Sequence, residues 1–408
     1  MKRMGCTLFV ALVFARLALA QSEVAPPKQY ADAVAHVEKL VQQELADKKL
    51  PAISVAIVDD QTVVWAKGFG YADPEKKVPA TAQTLYRVGS VSKLFTDVAV
   101  MQLVEHKKLD LDAPVTNYIP EFQPKNTWGK PITLRHLMTH RSGLIRESPI
   151  GNYFDKDHQS LPEMVASLNG IPLVYPPETK IKYSNAAIAV VGYTLQQTQH
   201  EPFAKYVKRA VLQPLGMTRS TFEPEPALMP DVAKAIMWSP HGRQFPAPTF
   251  ELGMSPAGCM YSSVLDLAQF LKVLSAGGKG MLTKESLDEM WRPQFAKKDE
   301  KTGIGLGFFI DERNGRRRIG HNGALYGFAT ELAYLPEQKL GVVVAISCDC
   351  ANPVGGRIAD FALDTILAAR DGKPLPELIS PKSVDAEWVR RIEGTWTDEK
   401  TKRDVTVE

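Results

Sequence analysis

The sequence predicts a mixed α/β (α+β) fold: one antiparallel sheet, flanked by helices, that carries a large and mostly helical insertion. Two β-runs lie early in the chain, within residues 53–71, and four more lie late, within residues 306–347. Residues 107–299 between them read as helix and loop, punctuated by Pro and Gly. The late runs are joined by short turns, which permit antiparallel pairing only, because parallel neighbours need a crossover of about a dozen residues or more.

Taken in order, Tyr30 to Lys48 has apolar residues at helical spacing (Val34, Val37, Leu40, Val41, Leu45) and predicts an amphipathic helix. Ile53 to Val58 and Thr62 to Tyr71 predict strands, with Asp59-Asp60-Gln61 as their hairpin turn. A long helix is expected from Val91 to His106. Ser263-Val264-Leu265-Asp266 has the form of a capping box and opens a helix through Leu274. Leu306 to Glu312, Arg316 to His321, Ala329 to Leu335 and Leu340 to Ser347 predict the late strands. Their turns are Asn314-Gly315, the Asn322 to Gly327 stretch, and Pro336-Glu337-Gln338. A helix at Ile358 to Ala369 follows. One unit over 21–372 results, with a sheet subdomain at about 25–106 and 300–372 and a helical subdomain at about 107–299. No internal repeat is visible.

The ends differ from this body. Lys2 and Arg3, an apolar run from Cys6 to Leu19, and Ala18-Leu19-Ala20 form a signal peptide over residues 1–20, so export to the periplasm or medium is expected. After Arg370, Gly372, Pro374, Pro376 and Pro381 mark a linker. Ile392 to Val407 reads as opening strands, so 373–408 is a linker and the start of a C-terminal β extension.

Composition is that of a globular protein: 408 residues, 44% hydrophobic, 23% charged and 8% aromatic. Removing residues 1–20 takes away Lys2, Arg3 and Arg16 and no acid, so 49 basic residues fall to 46 and equal the 46 acidic ones. A zero net charge disfavours nucleic acid as a partner. Arg316-Arg317-Arg318 follows a hairpin turn and opens a strand. Cys259, Cys348 and Cys350 remain; the ring closed by Cys348 and Cys350 would be strained, and no disulfide framework is required.

Three short motifs carry chemistry. Ser90-Val91-Ser92-Lys93 starts a helix and puts a serine hydroxyl and a lysine amine one turn apart on one face. Serine needs a base within reach, and a lysine whose pKa is lowered by burial can serve. Tyr183-Ser184-Asn185 stands at a loop-to-helix junction, and Gly320-His321-Asn322-Gly323-Ala324 ends a β-run. Alone, each has a bland reading as a cap or a turn.

Together, in this order, they resemble the serine β-lactamase and penicillin-binding-protein superfamily, and within it the class C β-lactamase, D-stereospecific peptidase and family VIII esterase branch. Gly68-Phe69-Gly70, the segment from Leu134 to Leu144, Pro214-Leu215-Gly216-Met217 and Gly327-Phe328 extend the resemblance over about 30–370. It implies a β-lactamase/transpeptidase-like fold and an acyl-enzyme mechanism. Ser90 would be the nucleophile, Lys93 its proton partner, and Tyr183 would share base duty and protonate the leaving group. Asn185, His321 and Gly323 would bind substrate, and the N–H groups of Ser90 and Ala324 would form the oxyanion hole.

Several departures bear on substrate. The third motif is His-Asn-Gly where strong β-lactamases have a lysine. Lys301-Thr302-Gly303 matches the lysine form but precedes the wrong strand. Tyr-Ser-Asn, with no recognisable acid-bearing deacylation loop, argues against class A. Cys259 stands where relatives often have glycine, either narrowing the site wall or packing. His136 and His140 are spaced as a metal pair on a helix, yet lack the accompanying Glu and a third ligand, so a structural role is expected and no metal. No cofactor is implied. The expected function is an exported serine hydrolase acting on carboxylesters, D-amino-acid peptides or, less well, β-lactams. Alternatives are a slowly deacylating penicillin-binding or sensor protein, and a catalytically silent member.

Overall fold

The computed structural model describes residues 23–157, 159–238, 243–378, 386–398 and 403–407. The signal-peptide reading of 1–20 lies outside them. The chain divides into two compact units, 1–375 and 376–408.

The larger unit is built on an eight-stranded sheet. Its strands are β1 (Ala52–Asp59), β2 (Thr62–Asp73), β3 (Val78–Pro79), β4 (Gly303–Ile304), β5 (Phe309–Arg313), β6 (Arg316–Leu325), β7 (Phe328–Leu335) and β8 (Leu340–Ile346). They lie in the order β3-β2-β1-β8-β7-β6-β5-β4. The late strands therefore join the early ones at the β1–β8 seam, antiparallel, with Val55 opposite Val344. All seven residues of β8 and the first seven of β1 are buried. Both read as continuous apolar runs because helices cover both of their faces. Helix α1 (Ala31–Asp47) and the C-terminal helix Asn352–Arg370 pack together along one side. On the other, the helix Val264–Ser275 crosses β1 and β8, and Leu271 lies so close to Gly341 that a Cβ there would stand 2.8 Å from its Cδ1.

Local sequence explains most boundaries. Asp60 (φ +52°) closes the β1–β2 hairpin, and Asn314-Gly315 (φ +49° and +72°) closes β5–β6 as the two-residue turn that pair favours. Three expectations shift. The strand expected from Leu306 begins at Phe309, because Gly307 (φ +80°) turns the chain against the Asp97 carboxylate. The wide turn expected at 322–327 contracts to Tyr326-Gly327, since Gly323 and Ala324 stay paired with Thr330 and Ala329. The capping box at 263–266 is half formed: Ser263 Oγ accepts from Asp266 N, while the Asp266 carboxylate accepts from Arg219 N and Ser220 Oγ at 2.9 and 2.7 Å.

Helix α2 (Ser92–Glu105) follows a short strand at Tyr86–Arg87 and a 3-10 turn, and the insertion supplies α3 (Asn185–Gln199), which packs on it. Almost every residue of both is buried, which is why neither shows a clean apolar stripe. Among the described residues no helix is long and apolar enough to cross a membrane. Cys259 and Cys348 are buried, Cys350 is exposed, and all three are free thiols. In the smaller unit a helix, Ala386–Ile392, precedes an antiparallel hairpin pairing Gly394–Asp398 with Arg403–Val407. The sequence reading anticipated its strands and missed the helix.

Candidate active site

Ser90 lies in a single 3-10 turn, Gly89–Val91, that leads into α2. Gly89 takes φ +54° there, and a Cβ on it would stand 2.6 Å from Ala324 N. A Cβ on Gly323 would meet Val88 O at 1.9 Å and Ser90 N at 3.0 Å. Only glycine at both positions lets β6 run against the nucleophile turn, and this approach sets the N–H groups of Ser90 and Ala324 near each other. Ser92 is occupied structurally: its hydroxyl donates to Gly89 O at 2.6 Å and accepts from Met260 N at 3.0 Å.

Lys93 is completely buried. Its Nζ lies 2.8 Å from Ser90 Oγ, 2.8 Å from Asn185 Oδ1 and 2.5 Å from Ala257 O. Burial lowers its pKa to about 7, against an opposing pull from Glu147 and Asp97. A neutral amine has two N–H bonds and one lone pair. The Asn185 and Ala257 oxygens can only accept, so they take both N–H bonds and leave the lone pair for the Ser90 hydroxyl.

Tyr183 Oη donates to Ser90 Oγ at 2.8 Å. Burial pushes the phenol pKa well up, so Tyr183 is a neutral donor in the resting site. Its ring is set by His140, 4.1 Å away centre to centre, and by Lys93 Nζ and the Arg146 guanidinium at 5.0 and 5.1 Å. Ser184, between Tyr183 and Asn185, is the N-cap of α3: its Oγ accepts from Ala187 N at 2.9 Å and donates to Ile145 O at 2.6 Å. The cap reading of this motif holds, and the cap fixes the backbone that carries Tyr183 and Asn185.

Sequence reasoning missed Glu147. Asn185 Nδ2 donates to both of its carboxylate oxygens, at 2.9 and 3.1 Å, and burial raises its pKa. The only sequence signal was position, three residues after the Leu134–Leu144 segment. His140 is corrected. The helix spans Leu134–Met138, and His140 lies beyond it at φ +57°, its Nδ1 accepting from Ser184 N at 3.2 Å. His136 Nδ1 accepts from Thr133 N within the cap of that short helix. The two rings face different partners. Among the described residues no cluster of three His, Cys, Asp or Glu could hold a metal ion.

His321 sits in β6 with 3% of its surface exposed, its ring 4.5 Å from Phe309. Its Nδ1 lies 2.5 Å from Asn322 O, a pure acceptor, so Nδ1 carries the proton. Burial, reinforced by Lys93, lowers its pKa to about 3. Burial therefore disfavours the charged form of His321. Lys301 is exposed, and Gly303 pairs with Ile310 on the outermost strand, away from Ser90. Cys259 is buried with Leu252 and Leu325, and burial raises its thiol pKa to about 11.

The sequence profile of the family described as Beta-lactamase matches residues 37–366, and the chain belongs to that family. Esterase EstB of Burkholderia gladioli is 30% identical over 360 residues, covering 79% of this chain and 91% of that protein. Beta-lactamase-like protein 2 of Dictyostelium discoideum is 30% identical over 317 residues, 75% of this chain. The chain spans only 58% of that relative's length. Among solved structures, the octameric penicillin-binding protein homologue from Pyrococcus abyssi superposes with a TM-score of 0.73 at 29% identity, covering 92% of this chain and 85% of that one. The fold is that of the β-lactamases and transpeptidases.

Proposed function

We propose that the protein is a serine hydrolase that cleaves ester or amide substrates through an acyl-enzyme on Ser90. The observation that carries this is the placing of Lys93: both N–H bonds held by acceptors, the lone pair left facing Ser90 Oγ. In acylation, Ser90 Oγ bonds to the substrate carbonyl carbon and its proton passes to Lys93 Nζ. The oxyanion is met by the N–H groups of Ser90 and Ala324. The tetrahedral intermediate collapses as the bond to the leaving atom breaks, and Tyr183 Oη gives that atom its proton. The Lys93 ammonium then gives its proton to the Tyr183 phenolate, which leaves both neutral. In deacylation, water takes the leaving group's place, passes one proton to the same pair, and frees Ser90.

The named esterase among the relatives supports ester substrates. Neutral His321 in place of a lysine favours esters over β-lactams. The leader-like residues 1–20 support an exported enzyme, which N-terminal sequencing of the mature protein beginning at Gln21 tests. Purified protein is assayed on p-nitrophenyl esters, D-amino-acid amides and a chromogenic cephalosporin. A fluorophosphonate should label the tryptic peptide holding Ser90, and Ser90→Ala should abolish both labelling and turnover. A burst of one equivalent without turnover would establish the penicillin-sensor alternative instead, and labelling that survives Ser90→Ala would overturn the nucleophile.

A further inference from the structure

With His321 uncharged and Lys93 enclosed, the cation that reaches solvent beside Ser90 is Arg146. Its guanidinium lies 5.1 Å from the centre of the Tyr183 ring, and its side chain is 60% exposed. The backbone beneath it is fixed, since the Arg146 carbonyl accepts from Asn185 N and Ala186 N at 2.8 and 3.2 Å. The helix start that aims Tyr183 and Asn185 therefore also sets the position of Arg146. Its Nε pairs with Glu147 Oε1 at 3.0 Å, which orients the guanidinium plane. Nη1 and Nη2 make no hydrogen bond to the described residues. An anchored guanidinium with two open nitrogens matches the two oxygens of a carboxylate.

The geometry points to Arg146 as the residue that selects substrates whose leaving group bears a carboxylate. This rests on the serine-hydrolase reading. Tyr183 hands its proton to the leaving atom, so the departing group lies along the Tyr183 ring, which is where Arg146 stacks. Glu147 opposes an anion, but both its oxygens already accept from Asn185 and one from Arg146, so its charge is directed inward. The other titratable groups around Tyr183 are His140 and His321, both held neutral by burial, Tyr153, whose phenol burial raises to about 12, and Lys93. Arginine stays charged at any working pH, so a preference set by Arg146 does not titrate as one set by histidine would.

Two esters that differ only in the leaving group test this: meta-carboxyphenyl butyrate and its neutral analogue, meta-carbamoylphenyl butyrate. The parent protein should show a lower KM for the carboxylate ester, unchanged between about pH 6 and 9 and narrowing as salt is added. Arg146→Ala should raise the KM of the carboxylate ester roughly tenfold relative to that of the neutral ester, the order of one charge-assisted contact, whatever change the two esters share. Arg146→Lys should recover part of the loss. Equal effects on both esters, or no effect on either, would overturn the selection role while leaving the hydrolase intact. If the parent turns over neither ester, the hydrolase reading falls, and this inference with it.

Discussion

Among the described residues, the hydrogen bonds of the Ser90 hydroxyl are to Lys93 and Tyr183, so in the proposed mechanism their protonation sets the rate. With Lys93 lowered to about 7, the neutral base is lost as pH falls. The acid limb of kcat/KM for a neutral ester should therefore lie near pH 7. Glu147 holds the Asn185 amide so that its oxygen faces Lys93, and its charge is the largest opposing pull on the lysine. Glu147→Gln should thus move that limb to lower pH, measured from pH profiles of kcat/KM; an unmoved limb would show that Glu147 only packs. Lys93→Ala and Tyr183→Phe act on one proton path, so the double variant should be little worse than the worse single one. Multiplicative losses would contradict the shared path.

At the scale of elements, the site depends on how closely β6 approaches the turn before α2. In Gly323→Ala the new Cβ would overlap Val88 O, so the strand must retreat and carry Ala324 N with it. A fall in kcat of about a hundredfold is expected, comparable to losing one oxyanion donor, with KM less affected. Steady-state kinetics on a neutral ester, with circular dichroism to confirm folding, checks it. Helix α2 also holds a liability. Both carboxylate oxygens of Asp97 are buried without a hydrogen-bond partner, and burial raises its pKa well above the usual carboxylate range. The unfolded chain ionises Asp97 near its ordinary pKa of about 3.9, while the folded chain resists, so this residue destabilises the fold progressively as pH rises above that value. Asp97→Asn removes the ionisation at nearly constant shape. Its Tm should exceed the parent's at pH 8, and the gain should vanish towards pH 4. A gain independent of pH would exclude this cause.

For the whole molecule, the ends of the larger unit are tied across the sheet. Arg370 of the C-terminal helix donates to Gln338 O at 2.8 Å and pairs with Asp59 of β1, which also accepts from Tyr30. Arg357 pairs with both carboxylate oxygens of Glu44, at 2.8 and 2.9 Å. These ties close the larger unit within 1–375. Removing residues 376–408 should leave ester hydrolysis unchanged and shift Tm by no more than a degree or two, the size of a surface change. A larger loss in thermal melting would show that the tail stabilises the catalytic unit.

The amino-acid sequence by itself determined the order of strands and helices, the two glycine- or asparagine-bearing hairpins, and the three motifs that meet at Ser90. Each of these is written in nearest neighbours: period-2 runs, turn pairs, and residues one helical turn apart. The tertiary structure alone decided the charges. His321 and Lys93 have ordinary titratable side chains, and only enclosure by β6, α2, α3 and the 255–259 turn makes the first neutral and the second a base near neutral pH. It alone also decided that Glu147 and Arg146 belong to the site. They are distant from Ser90 in the chain and carry no motif. They arrive because the Ser184 cap binds the loop at Ile145 and Arg146. Burial and long-range contact are properties of the folded whole, and no local pattern encodes them.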